Sequence, residues 1–218
     1  MRSAILGGLA ASFLLAATAP AVAAAPAKPL TPDQLSEALL TPSDLGEEYT
    51  ENEKRYREAL DSEAAHTPKC RSAIKALKPL VRSKAAAFID EEGKPSGVKQ
   101  FLISGTPAQL TRWESAGKVM VRDCAGVKAN SGSSKAGTTK LSIGKFGSWT
   151  YGIRHRKTIP ALNSKPSFAA DVVLIGAGNS VMLLVSDGFF GTFDPGLSKR
   201  AAKVAMRKLK DAQAAAAE

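Results

Sequence analysis

Gly176-Ala177-Gly178-Asn179-Ser180-Val181 holds the first two glycines of a dinucleotide-binding turn. Such a turn needs a last glycine or alanine for close helix–strand packing, and a helix whose N-terminus holds the pyrophosphate. Val181 stands at the last position, and Met182-Leu183-Leu184-Val185 continues as an apolar run of strand length. The stretch therefore reads as a hairpin, with Gly178-Asn179 making the reversal between apolar runs at 168–175 and 181–186. Ser-x-x-Lys, a pattern of penicillin-recognising enzymes, occurs at Ser72/Lys75, Ser96/Lys99, Ser115/Lys118 and Ser142/Lys145. Its Lys-Thr-Gly companion is broken at Lys157-Thr158-Ile159, and no Gly-x-Ser-x-Gly elbow is present. Of the two histidines, His66 lies in a charged stretch and reads as exposed. His155 lies on a mainly apolar strand face beside Tyr151 and reads as packed. A secreted hydrolase would need a site assembled in space around His155. The sequence assigns no catalytic residue, no metal site and no cofactor.

The strand carrying His155 offers a better site for binding than for catalysis. Residues 146–156, FGSWTYGIRHR, alternate with a period of two. Trp149, Tyr151, Ile153 and His155 face one way, and Thr150, Gly152, Arg154 and Arg156 the other, as in an antiparallel sheet. Trp149, Tyr151 and His155 are the candidate ligand contacts of a groove, and Arg154 and Arg156 the candidate anion contacts on the opposite face. The linker 157–167 carries two prolines and reads as a flap beside a groove or as a surface excursion.

Address and charge narrow the partner. Arg2 precedes an uncharged apolar run from Ala4 to Ala19, and small residues follow in the Ala-x-Ala sense at 21–25. That predicts a secretory signal cleaved near residues 23–25, with no cysteine there for a lipid anchor. In an oxidising compartment the two cysteines, Cys70 and Cys124, most simply form one disulfide, stabilising by about 4 kcal/mol on loop-closure arithmetic. With His66 and His155 they match no zinc spacing. The formal net charge is +10, unevenly spread: residues 25–63 hold ten acids and four bases, and residues from 64 onward 25 bases and ten acids. A basic body suits an anionic wall polymer or lipid headgroups; a small molecule or an envelope protein remains open as partner. Nucleic acid is excluded, because no nucleic-acid motif appears and the bases are not interleaved with stacking aromatics.

The elements that must position these residues follow from capping and periodicity. Thr31-Pro32-Asp33-Gln34 starts a short helix after a leader at 26–30, and Thr41-Pro42-Ser43-Asp44 repeats the logic. The charged stretch 47–63 reads as irregular or as an edge strand. Cys70, Ile74, Leu77 and Val81 form one helical stripe that Pro79 ends or bends. Strands are predicted at 85–90 and 98–103. A helix after Thr106-Pro107 presents Leu110, Trp113, Gly117, Met120 and Cys124 on one face, and 127–140 reads as a flexible polar loop. A last helix runs from Asp194-Pro195 to about Gln213, with a tail at 214–218. The sum is one α+β domain over 31–213, an antiparallel sheet of about five strands with about three helices and one disulfide.

Together these parts resemble a known group. Leu39-Leu40-Thr41-Pro42-Ser43-Asp44-Leu45-Gly46-Glu47-Glu48-Tyr49 follows an export signal, and Cys70 opens one helix while Cys124 closes another. Gly178-Asn179 joins two apolar strands, and Asp194-Pro195-Gly196-Leu197 leads the last helix. Over residues 31–211 the chain resembles the actinobacterial secreted sensor-domain proteins of the PknH-like extracellular type. That resemblance implies an antiparallel α+β domain with a groove, acting as an extracytoplasmic binding or sensing module rather than an enzyme. Many such proteins carry two disulfides, whereas this chain has cysteines for one; it has no kinase and, once the signal is cleaved, no anchor.

Overall fold

The computed structural model describes residues 28–52, 67–162 and 166–217. The signal segment and His66 lie outside the described residues. Central to the sheet are β7 (Phe168–Ala177) and β8 (Ser180–Phe189), joined by Gly178-Asn179. Gly178 has φ +56° while Asn179 does not enter the positive region, the sign pattern of a type II′ turn with glycine first. The hairpin predicted from the broken cofactor motif is what the chain forms.

Both strands are buried along nearly their whole length, so the sheet needs cover on both faces. Val173 and Ile175 of β7 and Met182 and Leu184 of β8 face α1 (Pro32–Glu37) and α5 (Leu197–Ala215), meeting Leu197, Ala201, Ala205 and Leu209. Val172 and Leu174 with Leu183 and Val185 face α2 (Pro68–Lys75), α3 (Lys78–Val81) and α4 (Pro107–Cys124), meeting Ile74, Leu77, Leu80 and Met120. Capping sets the helix starts: Thr31 and Thr106 each accept from the third helical residue's N–H, and Gln34 and Gln109 accept in return.

The expectation of about five strands and three helices is corrected. The described residues form one sheet of eight strands in the order β1-β2-β3-β8-β7-β6-β5-β4, every neighbouring pair antiparallel, and five α-helices. The expected strands are present as β2 (Ala85–Glu91), β3 (Ser96–Ser104), β6 (Trp149–Thr158), β7 and β8. The additions lie toward the two edges of the sheet. β1 (Tyr49–Glu51) pairs with β2, and β4 (Lys128–Ser131) and β5 (Ser134–Lys140) form a hairpin laid on β6. The segment 127–140 lacks an apolar alternation because little of it faces a core; Thr138 is its one buried side chain among the described residues. Backbone pairing to β6 makes it a strand, and side-chain pattern carries no trace of that. The helix expected from Cys70 to Val81 is two: α2 ends at Lys75 and α3 begins at Lys78, putting Pro79 in a first turn, where its missing N–H costs nothing.

Cys70 and Cys124 are bonded to each other, both fully buried, tying the start of α2 to the end of α4 across 54 positions of chain. Replacing both by serine is expected to lower unfolding stability by roughly 2–4 kcal/mol while the circular dichroism stays native. Urea melts with and without reductant check this; coincident midpoints would show that the bridge adds nothing.

Candidate functional site

Strand β6 lies between β5 and β7, so its side chains alternate between the α4 face and the α5 face of the sheet. On the α4 face, Trp149 and Tyr151 sit with ring centroids 5.7 Å apart. The indole lies across Gly176, where a Cβ would stand 2.2 Å from a ring carbon; Tyr151 lies under Gly117 of α4, where a Cβ would stand 2.6 Å from its ring. Both contacts need glycine as the partner. The Tyr151 hydroxyl donates to Glu114 Oε1 at 3.3 Å, and Glu114 also pairs with Lys118 at 2.7 Å. Burial pushes the Tyr151 phenol up, with Lys118 opposing and Glu114 adding to the shift. The aromatic pair is half-buried, framed by α4 and β7.

His155 is on the same face but four positions beyond Tyr151, past the fully buried Ile153. It is 1% exposed; its Nδ1 and Thr138 Oγ1 share a hydrogen bond of 3.1 Å, and its ring packs 5.9 Å from Phe168. The three residues read from the sequence as one set of contacts thus divide into an aromatic pair and a separate buried histidine.

Arg154 and Arg156 share the α5 face, as the alternation predicts, and differ in what they meet. Arg154 makes a two-pronged ion pair with Asp171 at 2.6 and 2.7 Å and donates to the Pro195 carbonyl at 2.8 Å. Its guanidinium stacks 5.2 Å from the Phe193 ring centroid. Asp171, fully buried, also accepts from the Ser198 hydroxyl, which is hydrogen-bonded to Ser186. The Asp171 hydrogen bonds hold the Arg154 guanidinium above its ordinary range against the opposing effect of burial. Arg156 is exposed, opposite Gly137 of β5.

Sequence reasoning missed the partners of these charges. Asp171, Ser186 and Ser198 join β7, β8 and α5 into one buried network around Arg154. Lys99 of β3 and Asp187 of β8 form a second buried pair at 2.5 Å on the opposite face. The available signal is a charged residue inside an otherwise apolar strand, as Lys99, Asp171 and Asp187 each are. Among the described residues no three His, Cys, Asp or Glu side chains are placed to hold a metal ion. A shallow groove of about 360 Å³ runs between α2 and α4, with Ser72, Ala76, Val119 and Asp123 in its walls; none of the β6 residues lines it.

The Arg154–Asp171 pair gives a sharp expectation. Asp171→Ala leaves a guanidinium buried without its carboxylate and is expected to cost about 3–5 kcal/mol. Arg154→Met with Asp171→Leu removes both charges and is expected to recover most of that loss. A double-mutant cycle on unfolding free energies checks this; a double variant no better than Asp171→Ala would contradict it.

No family model matches the chain, and no curated protein matches it in sequence. Among solved structures, it is similar to the extracellular domain of PknH from Mycobacterium tuberculosis, with a TM-score of 0.55 and 12% identity. The likeness spans 84% of this chain and 98% of that one. At such low identity it is a likeness of fold alone.

Proposed function

We propose that the protein is a secreted, non-catalytic binding domain of the sensor type. One observation carries this reading. The charged side chains of the sheet interior pair with one another, Arg154 with Asp171 and Lys99 with Asp187 Oδ2, and these pairs join strands. Arg156 is left on an open sheet face, available to a partner. The likeness of fold to an extracellular domain and the export-type N-terminal sequence support an extracytoplasmic site of action. Among the described residues no helix is long and apolar enough to cross a membrane. On the α4 face of the sheet Trp149 and Tyr151 are the candidate contacts for an uncharged ligand, and on the opposite face Arg156 is the candidate contact for an anion.

The test is co-sedimentation of the purified protein with cell-envelope fractions of its host, run beside turnover assays on ester, amide, glycoside and phosphoester substrates. Retention on the envelope without turnover is expected. A turnover abolished by His155→Ala would replace this reading with that of a hydrolase.

A further inference from the structure

Between Asp123 and Asp171 the chain has no Asp or Glu and eight Lys or Arg. This stretch builds the β4–β6 wing. Pairing puts Lys128, Gly137 and Arg156 in one row across the three strands, with Lys135 two residues from Gly137 on the same face. That face is the one carrying Arg154 and α5. Strands lie about 4.8 Å apart, so the backbones of Lys128 and Arg156 are about 10 Å apart with no side chain on the glycine between them. All three bases are exposed, and among the described residues none is paired with a carboxylate.

Helix α5 covers the sheet centre and stops short of this wing: its main contacts are with β3, β7 and β8. Higher on the same face, Leu141 N–H donates to the Gly152 carbonyl, and the Thr150 hydroxyl accepts from Phe146 N–H and donates to the Phe146 carbonyl. Among the described residues nothing covers the row below, where Lys128, Lys135 and Arg156 are exposed. Lys208 of α5 turns toward Asp44 in the short turn Pro42–Asp44 after α1, and Arg200 pairs with Asp194 just ahead of the helix. At about 3.6 residues per turn, Lys199 and Lys203 stand on the opposite flank, toward the wing. Both are exposed. The result is a step: a basic floor of Lys128, Lys135 and Arg156 beside a helix wall edged with Lys199 and Lys203.

We infer that this step is the binding surface for a linear polyanion, a chain bearing repeated phosphate or carboxylate groups; the inference rests on the proposed binding function and names its ligand class. Like charges held together without acids gain most from an anion that neutralises several at once. A helix is about 10 Å across, so a flat bilayer resting on α5 does not reach the floor, whereas an extended chain lies along it. No aromatic side chain projects from the floor for bases to stack on. The large exposed hydrophobic side chains among the described residues, Leu162 and Phe190, lie in turns beyond the strand ends and not on the floor.

Binding of the purified protein to long-chain polyphosphate and to polygalacturonate, followed by fluorescence anisotropy across a salt series, tests this. Vesicles rich in phosphatidylglycerol form a third arm. Lys135→Glu with Arg156→Glu is expected to weaken polymer binding by about tenfold or more and to flatten its salt dependence. The same charge reversal at exposed Arg71 and Lys75 of α2 is expected to cost less than about threefold. The tighter polymer identifies the anion as phosphate or carboxylate. If thermal melts show the reversal unfolding the wing, Lys135→Gln with Arg156→Gln is read instead. The inference is overturned if neither polymer binds at low salt, if both double variants lose affinity alike, or if the vesicles bind more tightly than either polymer. Retained envelope binding alongside any of these overturns the polyanion site alone; loss of envelope binding as well removes the proposed function with it.

Discussion

Strands β7 and β8 carry apolar side chains on both faces, and a strand pair of that kind is stable only between two layers. From this constraint the rest of the architecture follows. The hairpin at Gly178-Asn179 fixes the register, so odd positions of β7 and even positions of β8 share a face. One face takes α1 and α5, the other takes α2, α3 and α4, and the disulfide holds two helices of the second layer together. The hairpin leaves two sheet margins to be finished. β3, β2 and β1 extend one side, and β6, β5 and β4 the other, with apolar content falling toward each edge.

The buried charges of this sheet sit beside an opposite charge that offsets lost hydration. Arg154 and Asp171 are direct cross-strand partners, and Lys99 reaches Asp187 on the neighbouring strand. The first pair faces α5, and the second lies on the opposite face, as strand parity places it. Slipping either strand by one residue would turn a charge into the wrong apolar layer and leave its partner alone. The two pairs therefore penalise wrong registers that apolar side chains alone would tolerate. The same chemistry separates the arginines of β6. Arg154 belongs to the frame, and Arg156, two residues on, belongs to the surface.

Elements with a dominant face were readable along the chain. Thr106-Pro107 announces α4, a stripe ending at Cys124 gives its buried side, and two apolar runs around Gly178-Asn179 give the central hairpin. The facing of β6 was also readable, since period-two alternation needs no knowledge of neighbours. The strands β4 and β5 were not, because their polar side chains record exposure while their conformation comes from hydrogen bonds to β6. For the site, residue types were visible and partners were not. Trp149, Tyr151 and His155 look equivalent on one strand face, yet α4 frames the first two while Thr138 of β5 takes the third.

The chain by itself determined the local facts: where helices start, which strand residues share a face, that two cysteines are available to each other, and that the body is basic. Those depend on neighbours within a few positions or on counting. Folding decided which charges are spent and which remain. Asp171 lies 17 positions from Arg154, and Ser198 27 from Asp171, separations over which no sequence pattern signals contact. Burial forces those groups to pair, because an uncompensated charge in the layer is too costly. On the wing no layer covers Lys128, Lys135 and Arg156, so hydration keeps them charged, apart and open to an anion.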